Sequence, residues 1–238
     1  MIRFKDEPAA MQHSPRIPEL AQRDRFVRRC VKEWRVLTLR DEESACVPSN
    51  RLPARTVQLF WSSAIEAKRW AKALTGDDGL QEIPLQVFAA EILPGLQSGK
   101  GIVGVDWVAD PIEAEVEPAD LLLRLKTEAV NTFLSVCGDK GEVFLVGAEN
   151  GPQLQAVTRR GHEIQVVQVY PTRAEADRAL RRLGGKRVIA DPIKDFKEST
   201  LPWVIERGHM ISLEPIPGAG TMDVRPGDLV TRLKPAAA

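Results

Sequence analysis

VEPADLLLRLK (Val116–Lys126) and VRPGDLVTRLK (Val224–Lys234) share seven of eleven residues at an offset of 108. The same spacing recurs along the chain. Leu93-Pro94 matches Leu201-Pro202 at 108, the segment from Trp61 matches that from Tyr170 at 109, and Phe26 and Cys30 match Phe133 and Cys137 at 107. Chance similarity scatters offsets, whereas a duplicated unit holds them fixed. The pattern predicts an N-terminal tail over 1–20 and two tandem homologous α+β domains over 21–126 and 127–235. Each is read as a mostly antiparallel sheet flanked by helices.

Every element must then make sense twice. Amphipathic helices are predicted near Pro18–Val31 and Lys126–Cys137. Strands rich in Val, Leu and Phe follow at Arg35–Leu39 and Glu142–Val146, then at Thr56–Phe60 and Glu163–Val169. Ser63-x-x-Glu66 and Thr172-x-x-Glu175 have the spacing of capping boxes, each preceded by an aromatic, Trp61 or Tyr170. Those helices should stop at Gly76 and Gly184, where glycine tolerates a left-handed backbone. Second helices are expected over about Leu85–Ser98 and Ile193–Arg207, kinked or restarted by Pro94 and Pro202. Strands Ile102–Trp107 and Met210–Glu214 come next, with short strands near Glu113–Val116 and Met222–Val224. Pro118 and Pro226 then open a last helix, where a missing N–H costs nothing. The boundary near Lys126–Ala129 holds no flexible linker, so one helix is expected to run from the first unit into the second.

This order of elements, with Ala67 and Ala176 opening helices and Pro118-Ala119-Asp120-Leu121 and Pro226-Gly227-Asp228-Leu229 closing each unit, resembles a bacterial family known as domain of unknown function 2750. The resemblance spans about Gln22–Lys126 and Glu128–Lys234. It implies an α+β fold and a bacterial origin. Members of that family carry one copy and are more acidic, and this chain departs on both counts. The family has no activity to carry over, so the resemblance assigns no functional residue.

Composition narrows the function. Thirty-three basic residues balance 33 acidic ones in 238, for a formal net charge of +0. Phosphate contacts supply most nucleic-acid affinity and need a basic excess, so no nucleic-acid partner is expected. No apolar run reaches the roughly 20 residues of a membrane helix. The polar, Pro-rich start lacks the apolar core of a signal peptide, and Ala236–Ala238 is read as lying outside the fold. Three cysteines, Cys30, Cys46 and Cys137, are too few and odd in number for a disulfide framework. A cytoplasmic protein is the expectation.

Reactive constellations are missing. Gly95–Gly101 imitates a phosphate loop, but it has three residues between its glycines, lacks the Ser/Thr, and joins a helix to a strand. His13, His162 and His209 have no zinc-type spacing with each other or with cysteine. No catalytic, metal or cofactor residue is therefore assigned. Glu113, Glu115 and Glu117 alternate, so they share one face of a strand; as an acidic strip they suit a basic partner, and as a solvated face they need none. Arg23, Arg25, Arg28, Arg29 and Lys32 make the first helix basic, with the same two readings. Trp70, Trp107 and Trp203 align with Ala179, Pro215 and Gly95. Aromatics present in only one copy are interface candidates, since aromatics anchor interfaces as well as cores.

The leading expectation is a non-enzymatic protein that binds another protein, with a toxin-neutralising immunity protein as one version. The first alternative is an enzyme or small-molecule sensor with its site between the repeats, a common place for pockets. The second is a scaffold.

Overall fold

The computed structural model describes residues 17–40, 45–75, 79–107, 113–138, 141–159, 161–214, 218 and 220–233. The expected tail up to residue 16, His13, the Gly76 stop, Pro215 and the closing residues from Lys234 lie outside them.

In chain order, the first half comprises α1 (Ile17–Glu33), β1 (Arg35–Leu39), β2 (Cys46–Pro48), β3 (Thr56–Phe60), α2 (Ala64–Thr75), β4 (Leu80–Pro84), α3 (Leu85–Val87), a π-helical turn (Phe88–Ile92), α4 (Leu93–Ser98), β5 (Ile102–Val105) and β6 (Glu115–Val116). Helix α5 (Pro118–Gly138) crosses the midpoint without a break. Beyond it come β7 (Glu142–Ala148), β8 (Gly151–Pro152), β9 (Leu154–Arg159), β10 (His162–Tyr170), α6 (Arg173–Leu183), β11 (Arg187–Pro192), α7 (Ile193–Asp195), a second π-helical turn (Phe196–Thr200), α8 (Leu201–Glu206), β12 (Met210–Leu213), β13 (Met222–Val224) and α9 (Pro226–Val230).

The fold is α+β with mixed sheets. β3 pairs parallel with β5, and β10 parallel with β12. The other ladders are antiparallel, so the expected mostly antiparallel sheet has a parallel pair at its centre in each half. The helical crossover between the paired strands makes this possible, since parallel neighbours cannot be joined by a tight turn. In the second half the order is β11-β7-β10-β12-β13. In the first, β4-β1 meets the end of β3 at Leu37 and Trp61, which exchange two N–H···O bonds of 2.8 Å, and Thr38 Oγ1 donates to Leu59 O at 3.0 Å. β4 and β11 were not anticipated; LQEIP and RVIADP mix polar residues and end in proline, which suits an edge strand.

The expected second helices are each broken by a π-helical turn. Leu93 N–H reaches back five residues to Phe88 O, and Leu201 N–H to Phe196 O. Pro94 and Pro202 follow at once. A proline lacks the N–H and crowds the carbonyl four residues back, and the widened turn absorbs both problems. At α6, Thr172 Oγ1 accepts from Glu175 N–H at 3.4 Å, and Gly184 ends the helix at φ +67°. Glu175 itself pairs with Arg178, so only half of the expected box forms.

One core runs through both halves. α5 contributes Leu121, Leu125, Ala129, Phe133 and Cys137, which meet Phe26, Cys30 and Phe88 from one side and Val169, Phe196 and Ile211 from the other. Phe26, Cys30, Phe133 and Cys137 are fully buried. Each large apolar side chain so buried contributes about 1.5–3 kcal/mol. Smaller clusters cover the opposite sheet faces: Trp61, Leu59 and Trp107 under α2, and Phe144 and Tyr170 under α6. Strands β1 and β5 are buried on both faces, which suits their mostly apolar residues, with Thr38 of β1 bonded to Leu59 O.

Candidate functional site

The acidic strip is occupied by the chain itself. Ser49 Oγ donates to Glu115 at 2.7 Å and Asn50 N–H at 3.1 Å. Asn50 Nδ2 donates to Glu113, and Arg55 forms a two-pronged pair with Glu117 at 2.6 and 3.1 Å. These carboxylates tie down the 49–55 loop. Arg23 of the basic helix is likewise internal, pairing with Asp24 at 2.9 Å and lying 3.6 Å from Asp120, and Arg29 lies 3.6 Å from Glu66.

The tryptophans separate by environment. Trp107 is buried and donates to Ala114 O at 3.0 Å, while its own carbonyl accepts from Trp61 Nε1 at 2.8 Å. Trp70 is half-buried beside both, with centroids 6.3 and 6.1 Å away. Trp203 alone of the three candidates stands apart from that cluster. It is half-buried under the Arg207 guanidinium, 4.9 Å from the ring centroid, with the His209 ring at 5.9 Å. Among the described residues no group of three or more His, Cys, Asp or Glu could hold a metal ion, and no helix is long and apolar enough to cross a membrane.

Two buried carboxylates sit at the ends of the parallel strands. Asp106 follows β5 at φ +49° and accepts from Ser62 N–H at 2.6 Å and Ser62 Oγ at 2.8 Å. Burial raises its pKa, against the lowering effect of those two bonds. Glu214 follows β12 and accepts from Gly218 N–H at 2.7 Å; burial raises its pKa as well. Each carboxylate holds a turn or loop in place.

A cleft of about 350 Å³ does open between the halves. The first half supplies Val87, Ala89 and Ala90 from α3 and its π-helical turn, and Leu122 and Lys126 one turn apart on α5. The second supplies Arg159 from β9, Ile164 from β10, and Met222 and Asp223 from β13. Its volume falls in the range of small-molecule sites. Arg159 Nε donates to Asp223 Oδ2 at 2.6 Å, and Ser212 Oγ to Asp223 Oδ1 at 2.8 Å. Lys126 is half-buried and makes no hydrogen bond or ion pair with the described residues. Burial lowers its pKa; Asp223 opposes that, Arg225 adds to it and Asp228 opposes it.

Gly220, at φ +126°, closes one end of the junction. A Cβ there would collide with Gln86 Oε1 and Trp34 Nε1 from the other half. The cleft's residues were not singled out in the sequence. One signal was available: Ala89-Ala90 stands 108 residues before Lys197-Glu198, so small residues line the π-helical turn in one half only.

Residues 23–125 match the model of a family described as "Protein of unknown function (DUF2750)". No curated protein matches the chain. Among solved structures it is similar to "Anabaena Tic22 (protein transport)", with 14% identity, 90% of this chain and 99% of that one covered, and a TM-score of 0.27. It is also similar to "Tic22 from Plasmodium falciparum", with 9% identity, 81% and 93% covered, and a TM-score of 0.23. Likenesses this slight carry no conclusion about function.

Proposed function

We propose that the chain is a tandem duplication of one α+β unit, and that it acts by binding a small molecule in the cleft where the two units meet. Three recurrences support the duplication. The π-helical turns lie 108 residues apart. Left-handed positions recur as Trp34 (φ +55°) with Gly141 (φ +68°), and as Lys100 (φ +57°) with Gly208 (φ +65°). Trp34 O accepts from Leu85 N–H, as Gly141 O does from Ile193 N–H. A tryptophan and a lysine held where glycine is easiest point to inheritance of a backbone shape rather than to local preference.

The observation that carries the binding reading is Lys126, a half-buried amine whose side chain makes no hydrogen bond or ion pair among the described residues, on a cleft lined by both halves. A cation partly withdrawn from water and without a hydrogen-bonded partner is costly, and such groups gather at functional sites. A thermal-shift screen of small polar metabolites, run on the wild type and on Ala90→Trp, tests it. Compounds that stabilise the wild type and lose their effect in Ala90→Trp, whose indole fills the cleft, are the expected result. A screen without hits, or hits indifferent to Ala90→Trp, refutes the reading.

A protein partner is the second reading, now on a different surface. Trp203 beneath Arg207, with exposed Ile205 beside them on and just after α8, has the composition of an interface anchor. Purification from the native source should then yield one stoichiometric partner that Trp203→Ala releases. A toxin as that partner would make the chain an immunity protein.

A further inference from the structure

We infer that the junction cleft takes a small organic anion, a single carboxylate on a compact apolar body, with Lys126 as its counter-ion. This rests on the cleft being the binding site, and it adds the chemistry of the ligand.

Around the cleft two cations, Lys126 and Arg159, stand against two carboxylates, Asp223 and Glu91, and of the two cations only Lys126 makes no side-chain hydrogen bond or ion pair among the described residues. Asp223 is satisfied on both oxygens, by Arg159 and by Ser212. Arg159 is thereby matched, and its Nη1 also donates to Thr158 O. Glu91 stands exposed at the rim, and Arg225 and Asp228 are exposed beyond it. Lys126 has no such match. Leu122 lines the cleft one turn before it on α5, and Val87, Ala89, Ala90, Ile164 and Met222 give the cleft an apolar side, beside polar Gln86, Glu91 and Thr221. A cation at the edge of an apolar cavity selects a ligand that is charged at one end and greasy at the other.

Size and donor count narrow the class. At roughly 30 Å³ for each water-sized group, 350 Å³ holds on the order of a dozen non-hydrogen atoms. A phosphate asks for several converging donors, commonly from a long helix N-terminus or an arginine fork. Here the donors in the lining are Lys126, the Gln86 amide, the Thr221 hydroxyl and an Arg159 already held by Asp223, they form no arginine fork, and α3 is three residues long. One amine matches one carboxylate. Burial lowers the pKa of Lys126, so the free amine holds its proton less tightly than an exposed lysine. A bound anion reverses that and is stabilised in return.

The test is calorimetric titration of the full chain with 3-phenylpropanoate and with its neutral isostere 3-phenylpropanamide. The wild type should bind the acid at least tenfold more tightly than the amide. Lys126→Met should remove that preference while keeping amide binding, and Lys126→Arg should keep the preference. Urea unfolding of each variant checks that it is folded, and Lys126→Arg carries the test should Lys126→Met not fold. Equal binding of acid and amide by the wild type overturns the inference while leaving the cleft as a site. A preference for the acid that survives Lys126→Met overturns the role of Lys126. Absence of binding by both probes overturns this ligand class, and the cleft itself then stands or falls on the Ala90→Trp screen.

Discussion

Replacing Asp106 by alanine should cost about 1–2 kcal/mol of stability, shared between one serine and the backbone. The carboxylate is fully buried and takes both donors of Ser62, the N–H at 2.6 Å and the hydroxyl at 2.8 Å. Alanine leaves that N–H without an acceptor, which by itself costs about 1–3 kcal/mol when the group is buried. Ser62 is half-exposed, so water recovers part of this and the lower end applies. The backbone adds to the loss. Asp106 sits at φ +49°, where aspartate is tolerated better than alanine, and the difference is up to about 1 kcal/mol. Against both stands the relief of no longer burying a carboxylate, whose pKa burial has raised.

Urea unfolding followed by tryptophan fluorescence is the assay, since Trp61 adjoins Ser62 and Trp107 adjoins Asp106. Asp106→Asn separates the contributions. It keeps an acceptor for the Ser62 N–H, and the serine hydroxyl can turn to accept from the new amide. It should cost about 1 kcal/mol or less near neutral pH. The sign with pH follows from the raised pKa. An acid whose folded-state pKa is raised weakens the fold when ionised, and that penalty fades as pH falls through the folded value towards the ordinary one. Asp106→Asn never ionises, so it should lose ground to the wild type as the solution is acidified over that window. A loss below about 1 kcal/mol for Asp106→Ala would show that the turn after β3 is held by something else.

Gly220→Ala places a methyl against Gln86 and Trp34 at φ +126° and should destabilise by about 1–3 kcal/mol in the same assay. An unchanged midpoint would mean that the junction loop can shift freely. Lys100→Gly should stabilise by about 0.5 kcal/mol, because the left-handed strain at φ +57° outweighs the added freedom of the unfolded chain; a lower urea midpoint would contradict this. Glu115→Ala removes the acceptor for Ser49 and Asn50 and should cost about 1 kcal/mol or less. Its clearer sign is faster amide hydrogen exchange across 49–55, and unchanged protection there would show that Glu115 does not anchor the loop.

Particular residues show where sequence reading succeeded and where it stopped. Phe26 and Cys30 match Phe133 and Cys137 in the sequence, and all four are fully buried. Gly184 ends α6 in the left-handed conformation expected of it, and Pro118 and Pro226 open α5 and α9. Readings that required a partner fared differently. Alternation put Glu113, Glu115 and Glu117 on one face, but nothing local revealed that Ser49, Asn50 and Arg55 would fold back onto them. A copy-specific tryptophan marked Trp107 as an interface candidate, yet its indole N–H is bonded inside the fold.

What the sequence determined by itself is what a short window can encode: most of the helices and strands, several helix starts and stops, the proline breaks, and the balance of charge. Those follow from periodicity, capping and backbone preference, which act between residues a few positions apart. The tertiary structure decided the rest. It made β3 and β5 parallel neighbours, joined both halves in one core around α5, and brought Lys126 on α5 to the same cleft as Arg159 and Asp223. Those contacts join residues tens of positions apart, and their energy comes from burial and charge pairing that exist only once the chain has closed on itself.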